Sequence, residues 1–118
     1  MGALYRLAIW LYGAAIQLAA LRSTKARRWV AGRQNWAERL RQKRAALPAA
    51  PLWVHVASLG ELEQALPVLD LLRKEQPALP FLISFFSPSG FDYFKSEDPL
   101  VQTTYLPLDT PRNARLFV

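Results

Sequence analysis

The sequence has no cysteine and only one histidine, so two common kinds of site are missing from its chemistry. Without cysteine there are no disulfides and no thiolate metal sites. The single histidine, His55, has no second imidazole with which to share a metal, and it lies in an apolar run typical of a strand. A lone histidine in that setting is more often a packed structural residue than a ligand. We expect neither a metal nor a cofactor.

Acidic residues are also scarce, and the basic excess is confined to one segment. The 118 residues carry 9 acidic and 15 Lys or Arg side chains, which gives a net charge of +6. Residues 22–44 hold nine of the basic side chains and one acidic residue, Glu38, while the rest of the chain sums to about −2. This asymmetry indicates a basic surface beside an otherwise ordinary domain.

The first segment, residues 3–21, is apolar except for Arg6, Gly13 and Gln17, which fall on one narrow face of a helix. At a rise of 1.5 Å per residue such a helix is roughly 28 Å long, close to the hydrocarbon thickness of a bilayer. We predict a membrane-associating helix over residues 1–22, which either spans the bilayer or lies in the interface with the Arg6-Gly13-Gln17 stripe toward water. A hydrophobic helix packed on a soluble domain is the alternative. A cleaved signal peptide is disfavoured by the basic segment that follows.

The second segment, residues 23–46, is predicted to be a basic amphipathic helix. Ser23 and Thr24 are candidate caps. Trp29, Trp36 and Leu40 have spacings that place them on one helical face. Tryptophan beside Lys and Arg suits a membrane interface, although a solvated basic helix whose tryptophans pack on the domain fits as well. Nucleic-acid binding is disfavoured because no recognised motif accompanies the charges.

After the proline-containing linker at 47–51 the sequence alternates between strand and helix patterns. Strands are predicted at 52–57, 80–86 and 102–106. A helix is predicted at 61–75, bent or restarted by Pro67, a short helix around 90–96, and a last one after the turn at 107–111. This order predicts an α/β fold, with residues 52–118 forming the first half of a Rossmann-like parallel sheet.

The turn after the first strand carries Ser58, Gly60 and Glu61. In a parallel sheet, binding and catalytic groups collect outside the carboxyl ends of the strands. A carboxylate held there is a candidate general base, and the glycine lets a ligand approach the backbone. The alternative is that Glu61 or Glu63 only caps the next helix, since Ser58 followed three residues later by Glu61 fits a capping box.

A second turn, Ser-Pro-Ser-Gly at residues 87–90, follows the second strand and lies at the same edge of the predicted sheet. The hydroxyls of Ser87 and Ser89 and the amides near Gly90 could bind a sugar or a phosphate. Ordinary turn chemistry explains the same four residues without a ligand.

Four segments together resemble the bacterial 3-deoxy-D-manno-octulosonic acid (Kdo) transferases. Residues 58–61, Ser-Leu-Gly-Glu, resemble the family's Ser-Val-Gly-Glu. Residues 32–39 resemble its basic segment ending in Trp-x-Glu-Arg, 84–90 its Thr-x-Thr-Pro-Thr-Gly, and 105–111 its Tyr-Leu-Pro-x-Asp-x-Pro. Leu59 replaces a valine, and Ser87 and Ser89 replace threonines but keep the hydroxyls. Each motif alone is weak, but the four occur in order and span most of the chain.

The resemblance implies the N-terminal, acceptor-side domain of a GT-B glycosyltransferase with two Rossmann-like domains. It implies inverting transfer of Kdo from CMP-Kdo to the lipid A precursor in lipopolysaccharide biosynthesis, with Glu61 as the base. The implied substrate-binding residues are Ser58, Gly60, Ser87, Ser89 and Gly90, with Arg33 and Arg39 near acceptor phosphates or anionic lipid.

Because the family holds the donor mainly in its second domain, we expect this chain to be an N-terminal fragment, inactive alone. Its expected place is the cytoplasmic face of the bacterial inner membrane, and membrane lipid is an expected partner. The alternative from another class is a noncatalytic, membrane-anchored Rossmann-like binding domain.

Overall fold

A computed structural model describes residues 2–118, with three parallel strands and six helices in that range. The elements are α1 Ala3–Ala19, α2 Thr24–Arg33, α3 Trp36–Ala45, β1 Leu52–Val56, α4 Leu59–Glu75, β2 Phe81–Phe85, α5 Pro88–Tyr93, β3 Val101–Tyr105 and α6 Pro111–Phe117. The strands lie in the order β1-β2-β3, with Val56 level with Phe85 and Phe85 level with Tyr105. The predicted parallel β-α-β-α-β arrangement is confirmed.

The sheet is covered on both faces, which explains why every residue of β2 is buried. Alternate residues of a strand point to opposite faces. Phe81, Ile83 and Phe85 pack with Leu62 and Leu69 of α4 in the larger core. On the other face Leu82 of β2 packs with Leu40 of α3 and Phe117 of α6. The result is a three-layer domain, as a parallel sheet requires.

The basic segment forms two helices, so the single helix predicted there was wrong. Between α2 and α3, Gln34 is extended and Asn35 has a φ of 53°, in the left-handed region that asparagine tolerates better than most residues. The break turns the two halves toward different partners. Trp29 packs against Tyr12 and Phe86, whereas Trp36 packs near Phe117. The tryptophans therefore do not share one helical face.

The position of α2 depends on a close approach to β3. A Cβ added at Gly32 would lie 2.3 Å from Cε2 of the Tyr105 ring, far inside van der Waals contact. Glycine at this position lets the helix backbone rest directly on the aromatic ring. This contact brings the following residue, Arg33, to the carboxyl edge of the sheet.

Two helices after the first strand also differ from expectation. Helix α4 begins two residues early, at Leu59, and continues through the exposed Pro67 without being restarted. Helix α5 begins at Pro88, because proline suits the first helical position and Ser87 caps it. Residues 87–90 are thus a helix start rather than a free turn.

Helix α1 lies beside the residues that follow β2 and β3. Tyr12 stacks on Phe86, and the Tyr5 hydroxyl donates a hydrogen bond to Asp109. A Cβ at Gly13 would lie 2.9 Å from the Leu108 side chain, so the Arg6-Gly13-Gln17 stripe lies on the side of α1 that borders the domain. Arg6 and Gln17 are exposed there and line a groove open to water. The opposite, apolar side of α1 is exposed.

Within residues 2–118, none of the helices combines the length and the apolarity that crossing a bilayer requires.

Candidate functional site

The three segments that leave the carboxyl ends of the strands lie next to one another. They are residues 57–60 after β1, 86–88 after β2 and 106–110 after β3. Adjacent strands are about 4.8 Å apart, so the whole edge is narrow enough for one substrate to touch all three segments. Every predicted site residue except Arg39 lies at this edge or borders it.

Glu61 is held in place by the helix start that it helps to form. Its Oε2 accepts a hydrogen bond of 2.6 Å from the Ala57 backbone N–H, and its own N–H donates to Ser58 Oγ at 3.3 Å. These two bonds form the predicted capping arrangement, with the side chain reaching one residue beyond the cap. The residue is exposed, and its Oε1 has no hydrogen-bond donor within the described part of the chain. The carboxylate is therefore fixed in orientation, with one oxygen open.

Ser58 and Gly60 shape the same turn in different ways. Ser58 is the N-cap of α4, and its hydroxyl is used to accept the Glu61 N–H. Gly60 is exposed, and a Cβ added there would meet nothing closer than Ser58 Oγ at 3.9 Å. No packing contact requires the glycine, and the space beside it is open.

The second segment is more self-contained than predicted. Ser87 Oγ accepts a hydrogen bond from the Ser89 N–H at 3.3 Å and lies 2.8 Å from Ser89 Oγ. Gly90 is buried, and a Cβ there would lie 3.0 Å from Phe85 Cδ1 and 3.6 Å from the Leu59 nitrogen. Capping explains the two serines, and close packing of α5 against the start of α4 explains the glycine. Their ligand-binding role stays a prediction.

Arg33 is buried inside the molecule, whereas the charge pattern predicted a basic surface in this segment. Its guanidinium donates to the carbonyl oxygens of Leu106 and Phe86 at 2.8 Å and of Trp29 at 3.2 Å. The guanidinium carbon also lies 3.7 Å from the centroid of the Trp29 ring. Burial lowers the pKa of Arg33 to about 10, so the side chain is still charged at neutral pH. Arg33 ties together the chain segments that leave β2 and β3.

Arg39, the other predicted phosphate contact, is exposed. Its two terminal nitrogens donate to Gly32 O at 3.3 Å and Ala31 O at 3.4 Å, at the end of α2. Cations are favourable at helix C-termini. The two arginines therefore have different structural roles, and the binding role of each stays a prediction.

Sequence reasoning missed a polar group on the central strand, β2. Ser84 is fully buried, and its Oγ accepts a hydrogen bond from Trp53 Nε1 at 2.8 Å and lies 2.9 Å from His55 Nδ1. Desolvation lowers the pKa of His55. Within residues 2–118 no three His, Cys, Asp or Glu side chains are placed to hold a metal ion.

Three relatives match between 56 and 65% of the chain. A 3-deoxy-D-manno-octulosonic acid transferase of Aquifex aeolicus is 37% identical over 67 residues, covering 56% of this chain and 18% of the relative. The enzyme of the same name from Haemophilus influenzae is 32% identical over 72 residues, 60% of this chain and 17% of the relative. A probable mitochondrial 3-deoxy-D-manno-octulosonic acid transferase of Arabidopsis thaliana is 35% identical over 79 residues, covering 65% of this chain and 18% of the relative.

The chain thus spans under a fifth of the length of the relatives that it matches. No solved structure matches it significantly. The family model described as 3-deoxy-D-manno-octulosonic-acid transferase (kdotransferase) matches residues 34–118, which include all three strands and the whole carboxyl edge. The resemblance seen in the four motifs is confirmed, and the chain belongs to the Kdo transferase family, as part of its N-terminal domain.

Proposed function

We propose that this chain is the acceptor-binding part of an inverting glycosyltransferase that moves Kdo from CMP-Kdo to the lipid A precursor in lipopolysaccharide biosynthesis. The observation that carries the proposal is the Glu61 carboxylate, which is fixed at the carboxyl edge with Oε1 open. Membership in the Kdo transferase family supports Kdo transfer, and CMP-Kdo and the lipid A precursor are proposed as donor and acceptor on that ground. The GT-B arrangement of two Rossmann-like domains is part of the same proposal.

The proposed chemistry follows from that geometry. An alcohol is a poor nucleophile until a positioned base accepts its proton in the transition state. The acceptor hydroxyl gives its proton to Glu61 Oε1 while its oxygen bonds to the anomeric carbon of Kdo. The bond from that carbon to the CMP phosphate breaks with its electron pair, and CMP leaves. The Ala57 N–H keeps its bond to Oε2 throughout, so the base does not need to reorient.

The donor is assigned mainly to parts of the transferase outside this chain. We therefore expect residues 1–118 alone to be inactive and a full-length transferase that carries them to be active. The test supplies CMP-Kdo and lipid A precursor to both proteins and follows the acceptor by mass spectrometry. A gain of Kdo with the full-length protein supports the proposal, and its absence there contradicts it.

One observation favours a noncatalytic binding domain as the second candidate. The hydrogen bonds of Glu61 are those of a helix cap, and a cap needs no substrate. The two candidates differ over whether the negative charge of Glu61 is needed, since glutamine also serves in a capping box.

The proposed location is the cytoplasmic face of the bacterial inner membrane. The outer side of α1 exposes Leu4, Leu11 and Leu18, with 80, 52 and 70% of their surface accessible. Contiguous exposed apolar surface of this kind marks interaction sites. Helix α2 packs against α1 and presents exposed basic residues beside it, including Lys25 and Arg27. An apolar face next to cations matches a surface of anionic lipids.

We expect Arg27→Gln to weaken binding to vesicles of anionic phospholipid by about 1 kcal/mol, roughly fivefold, because one attractive charge near the membrane is lost. Lys74→Gln is the matched control, since it removes the same charge at the far end of α4, at the opposite edge of the sheet. Vesicle co-sedimentation at low and high salt measures both. Equal effects of the two substitutions, or binding that does not respond to salt, would count against the proposed membrane surface.

A further inference from the structure

A groove of about 760 Å³ separates α1 from α2 and from the segment after β3. Its walls include Trp10, Gly13, Trp29, Arg33, Leu108 and Pro111. The volume lies within the range of ligand sites in proteins, and most of the named wall residues are apolar. The capping and packing contacts described above do not fill it.

The groove contains a buried cation without an anion. Arg33 is 9% exposed, and no carboxylate forms an ion pair with it within residues 2–118. Its guanidinium has five N–H donors, of which three are used on backbone carbonyls. A buried charge is costly unless it is paired. The carbonyl oxygens and the rings of Trp29, Phe86 and Tyr105 stabilise the guanidinium but carry no formal negative charge. The two remaining donors and the lack of a paired carboxylate point to an anionic partner.

Two further residues with polar groups, Trp29 and Arg6, line the same space. The Nε1 of Trp29 is buried and has no hydrogen-bond partner within the described residues. Arg6, an exposed residue of α1, lines the groove as a second cation. The nearby carboxylate of Asp109 also lines it, but it accepts the hydrogen bond of Tyr5. The groove is therefore largely apolar, and two guanidinium groups line it against one carboxylate.

The groove is continuous with the exposed apolar surface of α1. Leu7 and Trp10 line it and are also 51 and 66% exposed to solvent. An apolar chain can therefore pass from the outer surface of α1 into the groove without crossing a polar barrier.

We propose that this groove binds one acyl chain of a phosphorylated lipid, with the lipid phosphate against Arg33 and Arg6. The apolar walls accept the chain, and the two guanidinium groups suit a phosphate. The inference rests on the proposed function, in which the phosphorylated lipid is the acceptor. The segment after β3 is two strand spacings, roughly 10 Å, from the segment after β1 that holds Glu61, so one lipid molecule can reach both.

The test measures binding to the purified 118-residue chain by calorimetry, with dihexanoyl phosphatidic acid below its micelle concentration as the probe. Ala14→Phe fills the groove, because Ala14 lines it. The matched control is Ala15→Phe, one position further on the exposed side of α1. We expect Ala14→Phe to weaken binding at least tenfold and Ala15→Phe to leave it within twofold. Equal affinities of the two variants, or no binding by the unchanged chain, would overturn the proposal.

Two further measurements keep the test decisive if Ala14→Phe does not fold. Arg6→Gln changes an exposed side chain, and we expect it to weaken phosphatidic acid binding about fivefold, as loss of one cation near a phosphate predicts. No change would overturn the proposal. Inorganic phosphate is expected to bind at least tenfold more weakly than the lipid, and equal affinity would show an anion site without an acyl chain.

These binding assays need neither donor nor turnover. If the groove does not bind the lipid, the proposal of Kdo transfer by the full-length enzyme is not affected. If the groove binds the lipid but the full-length protein does not transfer Kdo, the proposed function is contradicted instead.

Discussion

Glu61→Gln is expected to lower the rate of Kdo transfer by roughly 10²- to 10⁴-fold in a full-length transferase that carries this sequence. General-base catalysis typically contributes that factor, and the amide of glutamine cannot accept the proton of the acceptor hydroxyl. Its size and its carbonyl oxygen still allow the hydrogen bond from the Ala57 N–H. The free energy of unfolding should therefore change by less than about 1 kcal/mol, the usual contribution of a cap.

Glu63→Gln is the control for this experiment. Glu63 is exposed, and it lies about 200° around α4 from Glu61, so it points away from the edge of the sheet. Transfer assays with both variants and denaturant melts of both proteins separate chemistry from folding. If Glu63→Gln abolishes transfer while Glu61→Gln does not, the assignment of the base is wrong. If both variants remain active, Glu61 is only a cap.

Arg33→Leu is expected to lower the free energy of unfolding of the chain by about 3 kcal/mol. The substitution leaves the carbonyl oxygens of Trp29, Phe86 and Leu106 without their donor, and an unsatisfied buried group costs about 1–3 kcal/mol. Part of this cost is offset, because water can enter the groove to bond the carbonyl oxygens and because leucine carries no charge that must be buried. Urea unfolding followed by circular dichroism measures the change.

Arg39→Gln provides the comparison, because it removes the same charge from a neighbouring helix. Its hydrogen bonds of 3.3 and 3.4 Å are long and exposed, and surface substitutions usually change stability by less than about 0.5 kcal/mol. Similar losses for the two arginines would mean that Arg33 does not tie the strand ends together.

The strands and their order could be predicted because their signals are local. Apolar runs bounded by proline and small residues marked β1, β2 and β3, and the intervening helix patterns made a parallel sheet the natural result. The capping interaction of Glu61 was also foreseeable from the spacing of Ser58 and Glu61 alone. Each of these features depends on neighbours within a few residues.

The misjudged features depend on one local backbone conformation and on tertiary contacts. The break at Asn35 follows from one left-handed residue within an otherwise helical pattern. The burial of Arg33 requires Trp29, Phe86 and Tyr105 to meet around it, and these residues are far apart in the sequence. Likewise, the interfacial alternative for α1 turned its polar stripe toward water, whereas the stripe lines a groove that exists only after the helix has docked.

The docking of α1 also has a consequence for the order of folding. The hydrogen bond between Tyr5 and Asp109 joins residues 104 positions apart, while no residue of α1 is itself buried. Closing so long a loop costs entropy before any contact compensates for it, so the helix should settle last, on a sheet that is already formed. It should also detach first. In a hydrogen-exchange experiment, the amides of α1 should exchange by local opening while those of β2 are still protected. Release of α1 therefore need not unfold the rest of the domain.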